Sequence, residues 1–244
     1  MLSKSKVKYI QTLGQKKFRQ EEGCFLAEGP KIVAELLAAQ PAAVAEIFAV
    51  EEWVNENRSS TGNHPCTIVT EQELEKISQL STPNKVLAVV KQFGQGDVVT
   101  VKNKLVLALD DIRDPGNLGT LIRTADWFGV DQVVCSNESA ELYNPKVVQA
   151  TMGSIARVKV FYKDLGQWLA GIKDTRIYAA TLEGQDISHM KKGTEGVLLI
   201  GNESNGIHPD LLALSNVKIT IPGKGGAESL NAAVAAGILL SHLV

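Results

Sequence analysis

The chain has few of the residues that mark secreted, metal-bound or disulfide-bonded proteins. Its 244 residues include three cysteines, Cys24, Cys66 and Cys135, which are widely spaced and form no CxxC pair. An odd, scattered set of cysteines argues against a disulfide scaffold or a zinc site and favours buried, reduced thiols in a cytoplasmic protein. The four histidines also lack metal-ligand spacing, so we expect no metal.

Long apolar runs are absent as well. No stretch approaches the roughly twenty apolar residues that a membrane-spanning helix needs, and residues 1–20 lack the apolar core of a signal peptide. We therefore expect no contact with a membrane. With 44% hydrophobic residues, the chain is long enough to bury the core of one large domain or two small ones.

Acidic residues are missing from one segment. The net charge is −2, yet residues 1–20 contain six basic side chains and no acidic one. Such an asymmetry is typical of a basic arm or helix that lies along phosphates. A solvated helix face, with Val7, Ile10 and Leu13 on its apolar side, explains the same pattern.

The periodicity of apolar residues predicts two α/β domains. The predicted boundaries give a basic arm or helix at 1–20, a small α/β domain at 21–95, a linker at 96–103 and a second α/β domain at 104–244. Strands that alternate with helices in the second domain indicate a mostly parallel sheet with helices on both faces. The predicted strands are 25–27, 47–50, 67–69, 86–91, 105–109, 132–135, 158–161, 177–181, 197–200 and 217–221, and the clearest helices of the first domain are 30–39 and 71–79.

Polar residues cluster where three of these strands end. Strand 105–109 runs through an acidic Pro-Gly loop into Asn117-Leu118-Gly119, which opens a helical pattern in which Arg123 lies beside the apolar stripe. Strand 197–200 runs into a Gly/Asn-rich loop with one carboxylate, Glu203. The last strand leads through a Gly-rich loop to Ser229-Leu230-Asn231. Because open parallel sheets bind ligands at the carboxyl ends of their strands, we expect one shared site.

These segments resemble the three motifs of the SpoU/TrmH family. The matching stretches are N-L-G-T-L-I-R-T-A-D at 117–126, L-I-G-N-E-S-N-G at 199–206 and I-P-G…E-S-L-N-A-A-V-A-A-G-I at 221–238, and F-L-A-E-G-P-K at 25–31 resembles the start of that family's substrate-binding domain. The resemblance implies an S-adenosylmethionine-dependent RNA ribose 2′-O-methyltransferase of the SPOUT class. It also implies a trefoil knot, a homodimer and an RNA substrate; the additional N-terminal domain favours ribosomal over transfer RNA.

The resemblance also implies which residues form the site. The catalytic set is Arg123, Asn117, Glu203, Ser229 and Asn231. Cofactor contacts are expected at Gly201, Asn202, Ile221, Pro222 and Leu230, with Thr181, Leu182 and Glu183 as a further wall.

Each residue also has a purely structural interpretation. Arg123 could form an ion pair with Asp110, Asp111 or Asp126, and Asn117 and Ser229 suit helix N-caps. Two different functions compete for the whole chain. An NAD-binding enzyme would need the G-x-G-x-x-G fingerprint, which is missing. A non-catalytic RNA-binding protein with the same fold would not need the whole set of site residues.

Overall fold

The structure, a computed structural model, describes residues 1–94, 96, 98–190, 192–193 and 195–244. It divides into two compact units. The first comprises Met1–Gly94 together with Glu141–Ala156, and the second comprises Gln95–Ala140 together with Arg157–Val244. The segment Glu141–Ala156 therefore packs with the first unit, although the sequence pattern placed it inside the second domain. Residue 97 of the predicted linker lies outside the described residues.

The first unit is built on a four-stranded mixed sheet with the strand order β1-β4-β2-β3. β4 is antiparallel to both β1 and β2, and β3 is parallel to β2. Its elements are α1 (Lys4–Thr12), α2 (Lys16–Glu22), β1 (Cys24–Glu28), α3 (Pro30–Ala39), β2 (Val44–Ala49), α4 (Glu51–Glu56), α5 (Arg58–Thr61), β3 (Cys66–Ile68), α6 (Glu71–Ile77), β4 (Val86–Lys91) and, after elements of the second unit, α8 (Pro145–Thr151).

Helices cover both faces of this sheet. One strand contacts both layers, because the side chains of neighbouring strand residues point to opposite sides. Leu26 packs with Ile10 of α1 and Leu74 of α6 in one buried cluster. Its neighbour Phe25 stacks on Tyr143, just before α8, with ring centroids 4.6 Å apart. The segment between two strands of the second unit's sheet thus completes the core of the first unit.

The basic N-terminal segment is helical and partly buried. Ile10 and Leu13 are fully buried, so α1 is an integral part of the first unit. Arg19 is 1% exposed, and its guanidinium donates to both carboxylate oxygens of Glu141 and to the carbonyl oxygens of Leu13 and Gly14. Arg19 therefore does not contribute to a basic surface on this segment, because every contact described for it is internal.

The second unit contains a six-stranded sheet in which all pairs are parallel, with the order β10-β8-β9-β5-β6-β7. This confirms the predicted α/β fold. Its elements are β5 (Leu105–Leu109), α7 (Pro115–Trp127), β6 (Gln132–Cys135), β7 (Lys159–Tyr162), α9 (Leu165–Ala170), β8 (Ile177–Asp186), β9 (Gly196–Ile200), α10 (Pro209–Leu214), β10 (Val217–Thr220) and α11 (Ala232–Leu243).

Helices α9 and α10 pack against the central strand of the parallel sheet. Val106 and Ala108 of β5 pack in a buried cluster with Leu169 of α9 and Leu211 of α10. α7 and α11 pack against each other elsewhere in the unit. The central strands β5 and β9 are buried along their whole length, as expected for a parallel sheet that is covered on both sides.

Two further expectations concern the cysteines and the membrane. Cys24 and Cys135 are buried, whereas Cys66 is half-buried, so the expectation of burial is wrong for that thiol. Within the described ranges, the structure contains no helix with the length and apolar character of a bilayer span.

Candidate active site

The loop that follows β5 is held by side chains from two neighbouring loops. Asp111 donates its backbone N–H to Ser136 Oγ at 2.9 Å, and its carbonyl accepts from Asn202 Nδ2 at 2.8 Å. Ile112 donates to Ser139 Oγ at 3.1 Å. Ser136 and Ser139 follow β6 and Asn202 follows β9, so the carboxyl ends of three parallel strands meet here.

A buried carboxylate lies at the start of this loop. Asp110 is 7% exposed and accepts the backbone N–H of His208 at 2.7 Å. Burial raises the pKa of Asp110, while the hydrogen bond from His208 opposes that shift. His208 caps α10, so Asp110 joins the end of β5 to the start of that helix. The sequence patterns did not identify this role, although Asp at the carboxyl end of a buried strand is a signal that could have done so.

α7 begins earlier than the motif suggested. Asp114 is the N-cap, because its Oδ1 accepts the backbone N–H of Asn117 at 2.8 Å, and Pro115 occupies the first turn. The structural interpretation of Asn117 as the N-cap is therefore wrong. The side chain of Asn117 is left available for contacts outside its own helix.

α11 begins later than expected. Asn231 is its N-cap, since Asn231 Oδ1 accepts from the backbone of Ala233 at 3.0 Å and Val234 at 3.3 Å. The interpretation of Ser229 as the helix N-cap is therefore wrong. Ser229 is exposed, and none of the described hydrogen bonds involves its side chain.

Three predicted residues from three separate motifs meet at this edge. Asn117 Nδ2 donates to Glu203 Oε1 at 2.5 Å, and Asn231 Nδ2 donates to Asn117 Oδ1 at 2.9 Å. Both ends of the Asn117 amide are therefore used, and Glu203 is fixed at the tip of its loop. We call Asn117, Glu203 and Asn231 the amide–carboxylate cluster.

Arg123 is exposed on α7 and does not pack against the core. None of the ion pairs or hydrogen bonds found in the described part of the chain ends on its guanidinium. The three carboxylates considered as its partners bind other groups: Asp110 binds His208, Asp111 binds Arg113 and Asp126 binds Arg157. The interpretation of Arg123 as a structural ion pair is therefore wrong.

The loop that carries Glu203 needs glycine at its base. A Cβ on Gly201 would lie 2.2 Å from the backbone carbon of Gly206, so another residue does not fit. Asn202 pairs with Gly206 through two backbone hydrogen bonds, and its side chain accepts from Ser204 at 2.8 Å. The side chain of Asn202 is thus occupied in holding two loops, which leaves its exposed neighbour Glu203 to face the site.

β8 is longer than predicted and irregular. Ala179 pairs with Lys218 and Gln185 with Ile219, so residues 180–184 have no counterpart on β10. Leu182 in this segment is 76% exposed, and its carbonyl accepts from Thr220 Oγ1 at 3.0 Å.

Thr181 and Glu183 flank this exposed leucine. Thr181 Oγ1 donates to the carbonyl of Glu183 at 2.7 Å, which stabilises the projecting segment. A Cβ on Gly184 would lie 2.8 Å from the backbone of Lys218, so the two chains approach closely here.

The segment between β10 and α11 is largely exposed. Ile221 is half-buried, while Pro222 and Leu230 are exposed, the latter to 46%. Because Leu230 is this exposed, it does not pack in the core. A Cβ added to Gly223, Gly225 or Gly226 would meet no atom within 4 Å.

These residues fit S-adenosylmethionine. An adenine ring needs apolar surfaces and nearby backbone groups. The exposed side chains of Leu182 and Leu230 offer apolar surface. The loop that contains Gly223, Gly225 and Gly226 offers backbone groups with no side chain in front of them. Two clefts, of about 520 Å³ and 370 Å³, lie at the amino ends of the strands, near Ile177 and Leu105. Neither is lined by a residue of the amide–carboxylate cluster. No cluster of potential metal ligands occurs among the residues described.

Comparison with known families and proteins identifies the family of this chain. The SpoU rRNA Methylase family model matches residues 104–241, and the MRM3-like substrate binding domain model matches residues 4–88. The 23S rRNA (guanosine(2553)-2′-O)-methyltransferase RlmP of Bacillus subtilis is 33% identical over 241 residues, which cover 98% of this chain and 95% of that protein. The mitochondrial rRNA methyltransferase 3 of Mus musculus is 26% identical, covering 91% of this chain and 68% of that one.

Solved structures give the same result. A TrmH-family protein from Porphyromonas gingivalis superposes with a TM-score of 0.88 at 34% identity and covers 100% of this chain and 98% of its own. An rRNA methyltransferase from Sinorhizobium meliloti with bound S-adenosylmethionine superposes with a TM-score of 0.83 at 29% identity, over 100% of this chain and 96% of that one. The chain belongs to the SpoU rRNA methylase family and is an S-adenosylmethionine-dependent RNA ribose 2′-O-methyltransferase.

Proposed function

We propose that this enzyme methylates a ribose 2′-hydroxyl of ribosomal RNA in the cytoplasm. The observation that supports the place of the reaction is the amide–carboxylate cluster, which joins the three motif segments at the carboxyl ends of the strands. The Bacillus subtilis and mouse relatives are both named as rRNA methyltransferases, which supports ribosomal over transfer RNA. The unpaired cysteines favour a reducing compartment.

Arg123 is proposed to bind the RNA phosphate beside the target ribose. Its guanidinium is exposed and has no partner within the described residues, so all five of its N–H donors are available. A ribose hydroxyl is a poor nucleophile, and a cation held near it lowers its proton affinity. Because arginine stays protonated, this role agrees with its chemistry better than that of a general base.

The amide–carboxylate cluster is proposed to place the ribose for in-line attack. Glu203 Oε1 is occupied by Asn117, while its other carboxylate oxygen has no described partner and remains able to accept a hydrogen bond from a ribose hydroxyl. Asn231 fixes the Asn117 amide from the other side. Ser229 lies two residues before this cap and is proposed to complete the substrate side of the site.

The cofactor is proposed to lie against three segments at the carboxyl ends of the strands. When bound, S-adenosylmethionine supplies an electrophilic methyl group on a sulfonium. Thr181, Leu182 and Glu183 form one wall. The other contacts are assigned to Gly201, Asn202, Ile221, Pro222 and Leu230. Membership of the SpoU rRNA methylase family supports the further proposal that these segments form a trefoil knot.

A homodimer is proposed, formed through the outer surfaces of α7 and α11. Trp127 on α7 is 85% exposed and Val234 on α11 is 51% exposed, which is unusual for large apolar side chains on two packed helices. The small residues Ala232, Ala233 and Ala236 are buried within the protomer. The proposal therefore rests on the exposed apolar side chains and not on the alanines.

The first unit is proposed to bind the RNA substrate through α1 and α2. Lys4, Lys8 and Lys16 are exposed and none of the described ion pairs involves them, whereas Lys6 is paired with Glu46 at 2.7 Å. Three free lysines on adjacent helices fit a phosphate backbone.

Transfer of a labelled methyl group from S-adenosylmethionine tests the proposed substrate. Purified enzyme is incubated with ribosomal RNA or with transfer RNA, and the product is mapped by its resistance to alkaline cleavage. We expect label in ribosomal RNA at a single ribose. Label only in transfer RNA would contradict the proposed substrate, and RNA binding with no transfer would support the non-catalytic alternative.

A further inference from the structure

A second arginine near the site is held in a defined orientation. Arg113 directly precedes Asp114, the N-cap of α7, and its Nε donates to Asp111 Oδ1 at 2.7 Å. The Arg113 side chain is 71% exposed, while that of Asp111 is 22% exposed. The carboxylate is thus the fixed partner, and the guanidinium extends from it into solvent.

The backbone at Asp111 has an uncommon conformation and is held by neighbouring loops. Asp111 has φ +55°, a left-handed conformation that is uncommon for residues other than glycine. The loop is already anchored through its backbone to Ser136, Ser139 and Asn202. It therefore does not need an exposed ion pair for its stability, since such pairs contribute little.

The ion pair with Asp111 uses one of the three guanidinium nitrogens of Arg113. Asp111 engages Nε only, and neither terminal nitrogen has a hydrogen-bond partner in the part of the chain that the structure describes. Two terminal amino groups in one plane match two oxygens of a phosphate. If Arg113 only added positive charge to the surface, its guanidinium would not need a fixed orientation.

We propose that Arg113 binds a backbone phosphate of the RNA next to the methylated nucleotide, and that Asp111 orients its guanidinium for this contact. The inference rests on the proposed function, because it takes RNA as the bound substrate. It adds a substrate-binding residue and a positioning residue to the site, and it assigns Arg113 a different phosphate from the one proposed for Arg123.

Binding of the ribosomal RNA fragment that the wild-type enzyme methylates tests this proposal, measured at several salt concentrations. Arg113→Ala should weaken binding about tenfold and reduce the slope of log affinity against log salt by about 0.7, the value for one phosphate contact on a single strand. Arg113→Lys should keep the slope but weaken binding about threefold, because lysine lacks the planar fork. Lys173→Ala is the matched control, because Lys173 is an exposed charge before β8, at the amino ends of the strands. This substitution should have little effect on RNA affinity or on the salt slope.

Asp111→Asn separates orientation from charge. Asparagine tolerates the left-handed conformation as well as aspartate does, and the substitution makes the protein more positive by one charge. A purely electrostatic role for Arg113 therefore predicts tighter RNA binding, whereas the orienting role predicts binding weakened about threefold or more. Affinity for S-adenosylmethionine should be unchanged in every variant.

Two outcomes would overturn the inference. If Arg113→Ala binds RNA with wild-type affinity and salt slope, Arg113 does not contact a phosphate. If Asp111→Asn binds RNA as tightly as the wild type or more tightly, Asp111 does not orient Arg113. A wild-type enzyme that transfers no methyl group to ribosomal RNA would instead contradict the proposed substrate. The two failures are thus distinguishable.

Discussion

Replacing Asn117 with alanine should reduce methyl transfer far more than it reduces stability. The change removes two side-chain hydrogen bonds, to Glu203 at 2.5 Å and from Asn231 at 2.9 Å. Each such bond contributes about 0.5–1.5 kcal/mol net, and the exposed positions of both partners favour the lower half of that range. We therefore expect a loss of about 1–2 kcal/mol, equivalent to about 2–4 °C in Tm for each kcal/mol.

The effect on catalysis should be larger because Glu203 loses the group that fixes it. Displacement of a positioned group by about 1 Å costs on the order of 10²-fold in rate. Single-turnover methyl transfer at saturating RNA and cofactor should therefore fall about 100-fold, with urea unfolding measured on the same preparations. A variant whose folded fraction reacts at the wild-type rate would refute the catalytic role of the cluster.

Asn117→Asp gives an independent check with a definite pH dependence. The new carboxyl would lie at hydrogen-bond distance from the Glu203 carboxylate, and the proximity of two acids raises the pKa of one of them. When that acid is protonated, it can donate to Glu203 as the amide did. Activity of Asn117→Asp should therefore rise relative to wild type as pH falls from about 8 towards 5, whereas Asn117→Ala should show no such rise.

The remaining predictions address Arg123, Tyr9, the dimer and the two units. Arg123→Ala should abolish transfer while changing the free energy of unfolding by less than about 0.5 kcal/mol, because the described residues include no partner for it; a destabilised variant with full specific activity would contradict its role. Burial, followed by the nearby Cys24, raises the pKa of Tyr9 to about 12. The contribution of Tyr9 to stability should therefore be constant below about pH 10 and be lost between pH 10 and 12, because the unfolded tyrosine ionises first, and urea unfolding of Tyr9→Phe should lack that loss. Trp127→Glu should convert a dimer into a monomer in light scattering, and a wild-type monomer at micromolar concentration would contradict the dimer itself. Deleting residues 1–94 should yield an aggregating protein, because segment 141–156 loses the core that it completes, whereas replacing that segment with a short Gly/Ser linker should restore a soluble domain.

Local patterns in the sequence determined the elements and the edge of the sheet that carries the site. The apolar runs at 105–109 and 197–200 became buried parallel strands because a strand covered on both faces needs a continuous apolar run. Gly201 lies so close to the backbone of Gly206 in its own loop that there is no space for a Cβ, while the cofactor contact expected at Gly201 stays a prediction. Strand positions and tight turns depend mainly on residues that are close in the chain, so they can be predicted from the sequence.

Tertiary structure decided which polar groups meet. Asn117 binds Glu203 and Asn231, which are 86 and 114 residues away, and this pairing depends on the order of the strands. The caps of α7 and α11 are Asp114 and Asn231, which differ from the caps that the local sequence indicated. The packing of segment 141–156 with the first unit had no local signal either, because an apolar helix face shows that a partner exists and not where in the chain that partner lies.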